Sequence, residues 1–413
     1  MQTFLLCLVL WIVIGSVVVG WMSRAVLMAF WREPMLKRPV LIIESDDWGT
    51  GPAEQAEQLA RIAAVLGSYR DDDGHRPVMT LGLVLSIADG ARITAEGFRH
   101  YHRKSLNEAE FGPTLAAINH GAEDGVFALQ LHGREHYWPQ ALIAAARSDP
   151  HVSGWLSGPG IPQTEALPAA LQSRWIDATE LPSKPLPVAE VKAAALAEAA
   201  SFRDIFGGVP AVAVPPTFIW NDAVEAAWAE AGVEFVVTPG RRYELRSAAG
   251  EPGGAGRSIS NGDRGVAGIT YLVRDDYFEP VRGHKAEHAL DALTEKTLVG
   301  RPTLLETHRA NFIGNAADAD AALSEVDRLL AMTLQVFPRT MFLSTAELGM
   351  RLRRADPHLV EKRLGARLHI WLRRFWNVAG LRKLSWLTGA ILPGWLAYVV
   401  TGRIAGALPP LGK

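Results

Sequence analysis

The chain has 413 residues and balances 42 Lys and Arg against 44 Asp and Glu, so no global field argues for nucleic acid. Its single cysteine, Cys7, excludes an intrachain disulfide framework and a thiolate metal cluster. Lying in an apolar segment, it reads as a small hydrophobe.

The first expected element is a membrane anchor over residues 1–24. Met1 to Met22 is almost wholly apolar and carries no charge before Arg24. About 20 such residues span a bilayer. A cleavable signal would show a basic start and a small-residue cleavage site, and neither is evident. Arg24, Arg32, Lys37 and Arg38 follow the segment. By the positive-inside rule this places the next domain on the cytoplasmic face of a cell (inner) membrane; export of the domain is the alternative.

Residues 39–355 then alternate apolar β-like runs with helical patterns. The runs are Val40–Glu44, Val78–Leu85, Phe127–Leu131, Ala211–Val214, Val233–Thr238, Ile269–Val273, Thr303–Glu306 and Met341–Leu343. Helical candidates between them include Ala53–Leu66, Val188–Phe206, Asp222–Ala231, Ala317–Thr333 and Thr345–Leu352. Such a succession predicts a closed α/β barrel of (β/α)7–8 type rather than an open sheet. His151 to Pro187, rich in Pro, Ser and Gly, is expected to form a long loop or subdomain over the barrel mouth. Ser247 to Gly268 is glycine-rich and reads as a loop or hairpin; its glycines match no phosphate-binding fingerprint.

Residues 356–413 return to the membrane theme. In Glu361 to Trp376, Leu364, Leu368, Trp371, Leu372 and Phe375 recur at helical spacing beside Arg363, Arg367, Arg373 and Arg374. This is the pattern of a basic amphipathic helix on an anionic leaflet, or else of a helix docked on the domain. Leu384 to Val400 is nearly continuous in apolar residues but broken at Gly389 and Pro393-Gly394, which suits a re-entrant or interfacial hairpin.

The chemistry concentrates at the ends of the apolar runs. Val40-Leu-Ile-Ile-Glu-Ser-Asp-Asp-Trp-Gly49 stops abruptly at Asp46 and Asp47. An unbroken apolar run suits a strand buried on both faces, and ligands gather at the carboxyl ends of such strands. A capped turn would account for the same two aspartates. His132-Gly-Arg-Glu-His136 follows another run; its imidazoles, four apart on a helical face or around a tight loop, can share a metal. Two histidines and one carboxylate leave open positions, which a hydrolytic site needs. His308 ends a third run, where it can protonate a leaving group. After a fourth, Val214-Pro-Pro-Thr-Phe-Ile-Trp220 offers Pro216 and Trp220, with Trp48, as walls of a sugar pocket; packing would explain the aromatics equally well.

Ser45-Asp46-Asp47, His132-x-x-x-His136 and a late strand ending in His308 together resemble the polysaccharide deacetylases of carbohydrate esterase family 4. The resemblance covers roughly residues 39–350. It is greatest to the branch whose motifs read Glu-Ser-Asp-Asp-Trp-Gly and His-Gly-Arg-Glu-His. It implies a distorted barrel, Asp46 as catalytic base, Asp47, His132 and His136 as metal ligands, and His308 as general acid. The metal implied is divalent: zinc, with cobalt and nickel as alternatives. The family's arginine beside the base is missing at Val214-Pro215-Pro216, so Arg134, Arg274 or Arg309 is expected to replace it. Its acid-orienting aspartate is sought among Asp222, Asp275 and Asp276.

The function expected is removal of an N-acetyl or N-formyl group from a membrane-adjacent or polyprenyl-linked sugar or polysaccharide in surface glycan assembly. The partners are that glycan and membrane lipids. A non-enzymatic scaffold for exopolysaccharide assembly is the second reading. A barrel glycosidase using pairs among Glu44, Glu135, Asp275 and Glu306 is the third, and it leaves the histidines without a role.

Overall fold

In the computed structural model, which describes residues 2–405 apart from Ala255 and Arg257, the apolar run at Val40 becomes the central strand of a curled parallel sheet. Strand β1 (Val40–Gly49) is buried along its whole length. It is followed by β2 (Met79–Val84), β3 (Phe127–Leu131), β4 (Val212–Ala213), β5 (Phe235–Thr238), β6 (Thr270–Val273), β7 (Asp276–Tyr277), β8 (Thr303–His308) and β9 (Met341–Phe342). The hydrogen-bonded path runs β6-β5-β4-β3-β2-β1-β8-β7, and every pairing in it is parallel.

The two ends of that path, β6 and β7, are consecutive in the chain and separated only by Arg274 and Asp275. One strand position thus meets β5 with its first half and β8 with its second. The ring closes there through the chain itself, where a closed ladder was expected. The remaining distortion is at the floor. β9 pairs with β1 at Val40 and Leu41, on the edge that β2 occupies from Ile43 onward. This is a distorted (β/α) barrel with strands buried on both faces, as parallel sheets require.

Outer helices close the core. Gln55–Gly67 buries Leu59, Ile62 and Leu66 at helical spacing, and Val188–Phe206 and Asp222–Ala231 pack on each other. The glycine-rich segment opens as a two-stranded hairpin, Leu245–Arg246 with Pro252–Gly253.

Outside the barrel lie α1 (Gln2–Met22), α2 (Arg24–Arg32), α3 (Leu364–Asn377), α4 (Ala379–Thr388) and α5 (Ile391–Ala405). Helix α1 is long and apolar enough to cross a membrane, and its apolar side chains are exposed. Helices α4 and α5 meet at a bend of 116°. Gly15 of α1 lies so close to α4 that an added Cβ would stand 2.3 Å from the Thr388 carbonyl oxygen. Small residues permit such close approach of apolar helices.

Helix α3 corrects the leaflet expectation. Its apolar face packs on α5 and α2, and its arginines bind protein oxygens. Arg374 is buried and donates to the carbonyls of Phe30, Glu33, Pro34, Val299 and Gly300. Arg373 reaches Leu298, and Arg367 reaches Trp31. These carbonyls lie at or just past the ends of α2 and of helix Ala286–Leu298, where backbone acceptors lack partners. The same basic residues that suit a leaflet also suit helix C-termini, and here the carbonyls take them. The tail residues 406–413, assigned to the membrane region by sequence, lie outside the described residues.

Candidate metal-dependent active site

Successive side chains on a strand point to opposite faces, so adjacent aspartates ought to diverge. The pairing of β1 with β2 slips between Ser45 and Trp48, and Asp47 adopts φ 72°. Bulges of this kind re-aim a side chain beside a site. Here the bulge puts both carboxylates within reach of the same histidines. His132 and His136 bracket an irregular loop after β3, the second of the two geometries open to their spacing. That loop is anchored from behind. Arg174 bonds Glu135 and Glu198, both at 2.7 Å, and the Arg134 backbone N–H donates to Glu198 at 3.1 Å.

Asp47 Oδ1 lies 3.5 Å from Nε2 of both His132 and His136, is buried, and has no hydrogen-bond partner. All three ligand atoms fall within 4.8 Å of one another. Donors held tetrahedrally about 2.1 Å from zinc are about 3.4 Å apart, so the spacing fits a shared divalent metal. His132 Nδ1 bonds the Val214 carbonyl at 2.9 Å, which leaves Nε2 free to ligate. Burial pushes His136 down to about 4, although Asp47 pulls the other way, so it is neutral at pH 7, the form in which an imidazole can bind a metal.

Asp46 is held by Arg274, the first residue after β6. Its guanidinium bonds Asp46 Oδ2 at 2.6 Å and Glu44 at 2.7 Å, and its Nε lies 3.2 Å from Glu306. Burial works to raise Asp46, but Arg274 and His132 outweigh it and hold the carboxyl below its usual range. Asp46 Oδ1 is left buried and unpartnered. Gly82 makes room for it: a Cβ there would stand 2.2 Å from that oxygen. Burial pushes Glu44 and Glu306 the other way, upward.

Across the ladder, His308 pairs in register with Asp46, and Glu306 with Glu44. His308 Nδ1 bonds Glu279 at 2.5 Å, and Asn311 donates to the other Glu279 oxygen. Against burial, Glu279, Asp47 and Asp46 raise His308 to about 10. Its Nε2 has Glu306 at 3.8 Å and remains directed at the mouth.

The structure therefore brings Asp46, Asp47, His132, His136 and His308 together, and it settles two open choices. The arginine on Asp46 is Arg274; Arg309 pairs with Glu165 and the Thr50 carbonyl, and the Arg134 side chain makes no bond to Asp46. The carboxylate on His308 is Glu279; Asp275 and Asp276 face Lys296, and Asp222 faces Arg242. Both partners carry a sequence signal. Arg274 ends an apolar run as Asp46 does, and Glu279 is a glutamate where the resemblance implies an aspartate.

The pocket-wall expectation fails on burial. Trp48 is fully enclosed, donating to Ser45 Oγ at 2.8 Å and packing on Phe312. Trp220 is enclosed likewise, with its indole N–H on Glu225 at 2.7 Å, and Pro216 is buried beside it. None has surface to offer a sugar. The segment His151–Pro187 does lie over the mouth, tied down by the Glu165–Arg309 pair.

In sequence, no family profile and no curated protein matches the chain. Among solved structures it is similar to the 4-α-glucanotransferase of Thermococcus litoralis, at 9% identity and TM-score 0.39 over 75% of this chain. It spans only 40% of that enzyme's length. It is also similar to the peptidoglycan deacetylase PdaC of Bacillus subtilis, at 13% identity and TM-score 0.36, covering 78% of this chain and 95% of that one. A family 4 carbohydrate esterase of Streptomyces lividans, solved with acetate, aligns at 11% identity and TM-score 0.31, over 72% of this chain and 90% of that one.

Proposed function

We propose that this chain is a metal-dependent carbohydrate N-deacylase of the family 4 esterase type, releasing acetate or formate from an amino sugar of a surface glycan, free or lipid-linked. The observation that carries the reading is Asp47 Oδ1. It is a buried, unpartnered carboxylate oxygen equidistant from two histidine nitrogens, with a base and an acid flanking it. A scaffold has no need of such an arrangement, and a glycosidase would leave the imidazoles unused.

Asp47, His132 and His136 would hold the metal, proposed as zinc with cobalt or nickel accepted. Bound there, it would supply a water of lowered pKa and a Lewis acid for the acyl oxygen. The protein's own groups do the rest. Arg274 fixes Asp46 Oδ2, so the unpartnered Oδ1 is the atom that takes a proton from the attacking water. The C–O bond forms as the acyl C–N bond breaks. His308, held as imidazolium by Glu279, gives its proton from Nε2 to the departing amine. Helix α1 supports attachment to a cell membrane, and Arg24, Arg32, Lys37 and Arg38 favour a cytoplasmic barrel.

The test is acyl release by the detergent-purified chain with added zinc, assayed on N-acetyl and N-formyl amino-sugar oligomers. Release by the wild type and none by Asp46→Asn is the expected result. Equal release by both would remove Asp46 from the mechanism.

A further inference from the structure

Taking the deacylase and anchor readings together, we infer that the sugar acted on stands at least about 15–20 Å off the bilayer, in a polymer or long oligosaccharide. The sugar joined directly to a lipid at the membrane surface is not the substrate.

The reason is which end of the barrel holds the membrane-seeking helices. Helix α1 passes through α2 into the amino end of β1. Helix α3 docks on the same end: Arg374 and Arg373 bind Leu298, Val299 and Gly300, just before β8 begins at Thr303. Leu36 bridges to Val360 and its N–H bonds Gly300, joining these pieces into one floor.

The α4–α5 hairpin leaves from that floor. Helix α5 lies along α3: a Cβ on Gly394 would meet Trp376 at 2.9 Å, His369 stacks on Tyr398 at 4.4 Å, and Arg373 bonds the Tyr398 hydroxyl at 3.1 Å. Its tip lies beside the middle of α1, where a Cβ on Gly389 would meet Ile12 at 3.0 Å. Ile12 is ten residues from Met22, about 15 Å along the helix, or half of a hydrocarbon core about 30 Å thick. Trp386, Leu387, Leu392, Trp395 and Leu396 are exposed on the hairpin. Arg24 at the start of α2, Arg382 and Lys383 near the hairpin base, and Arg403 near its exit are exposed too. That is an apolar wedge with a basic collar, as suits a leaflet with anionic headgroups.

Asp46, Asp47, His132 and His308 all sit at the other end, at or beyond the carboxyl ends of β1, β3 and β8. From Val40 to Asp46 is six residues, about 20 Å along the strand and somewhat less along a tilted barrel axis. The interior between is filled by side chains, so no sugar passes up from the floor. A glycan reaches the mouth only by extending past the side of the barrel.

The full-length chain in nanodiscs with zinc tests this. Three probes are compared: a free chitin oligosaccharide, the same oligosaccharide on a lipid, and a single N-acetylglucosamine on that lipid. Both long forms should release acetate, and the lipid-linked monosaccharide should be at least about 100-fold slower in the disc and recover in detergent. Equal turnover of the lipid-linked monosaccharide and the long glycan in the disc would overturn the inference. A second readout needs no activity. In a Cys7→Ser background, fluorophores on Asp72→Cys at the floor and Glu180→Cys over the mouth are exposed to headgroup-quencher vesicles. Quenching at the floor alone is expected; equal quenching would overturn the geometry. Loss of acetate release from every probe, with the floor-only pattern intact, would instead sink the deacylase reading and leave the orientation standing.

Discussion

Arg274 under the mouth and Arg374 at the floor are both almost wholly enclosed, yet their surroundings are of opposite sign. Arg274 binds three carboxyl groups, Glu44, Asp46 and Glu306. Arg374 and Arg301 share a single carboxylate, Glu33, and Arg374 turns its remaining donors to backbone carbonyls. Arg374 has no donor left over for a ligand. The mouth has more buried carboxyl groups than arginines, and Asp47 and Glu279 add to their number. Buried charge of one sign is costly unless it is paired, so the mouth calls for further positive charge. The His308 imidazolium meets part of that need, and the proposed divalent cation would meet the rest. The floor is built for stability, and the mouth for a ligand.

Asp46→Asn breaks the mouth most directly. It should lower kcat about 1,000-fold while the melting temperature holds, as seen by acyl release beside calorimetry. Arg374→Met is its counterpart at the floor. It strands several carbonyls and should cost about 3 kcal/mol of stability. Activity per folded molecule should be unchanged, and α3 should become protease-sensitive. Gly82→Ala sharpens the mouth further. The new methyl would displace Asp46 Oδ1 and should cost about 100-fold in kcat with KM nearly constant.

Glu279→Gln separates proton supply from positioning. His308 is raised from 6.5 to about 10, so it is imidazolium at neutral pH and its acid form is lost as pH climbs through the raised value. The linked stability is fully present below 6.5 and disappears between 6.5 and about 10. The amide should bring the alkaline limb of the pH–rate profile down by at least about one unit, and a fall all the way to about 7 would cost roughly tenfold at pH 8. An unmoved limb would mean that His308 is not the acid. Trp220→Phe should do least. It loses the indole bond to Glu225, about 1 kcal/mol, and leaves KM alone. A large rise in KM would restore the tryptophan to the sugar pocket.

The barrel was legible from its apolar runs, and the convergence of Asp46, Asp47, His132, His136 and His308 was legible because they follow where such runs stop. Buried parallel strands leave that signature, and their carboxyl ends gather the site. The partners were not legible. Arg274 meets Asp46 from 228 residues away, and no local pattern records a contact at that separation. Glu279 stands off the strand end that it serves. Trp48 and Trp220 misled because an aromatic beside a site motif reads alike whether it faces a sugar or the core. Helix α3 misled for a similar reason: arginine satisfies headgroup phosphates and helix carbonyls equally well.

Elemental analysis of the detergent-purified full-length chain, wild type beside His136→Ala, is the most direct test of the central claim. The account predicts one equivalent of zinc, cobalt or nickel in the wild type, with a higher melting temperature when loaded, and none in the variant. A folded wild type that takes up no metal even after reconstitution would contradict it.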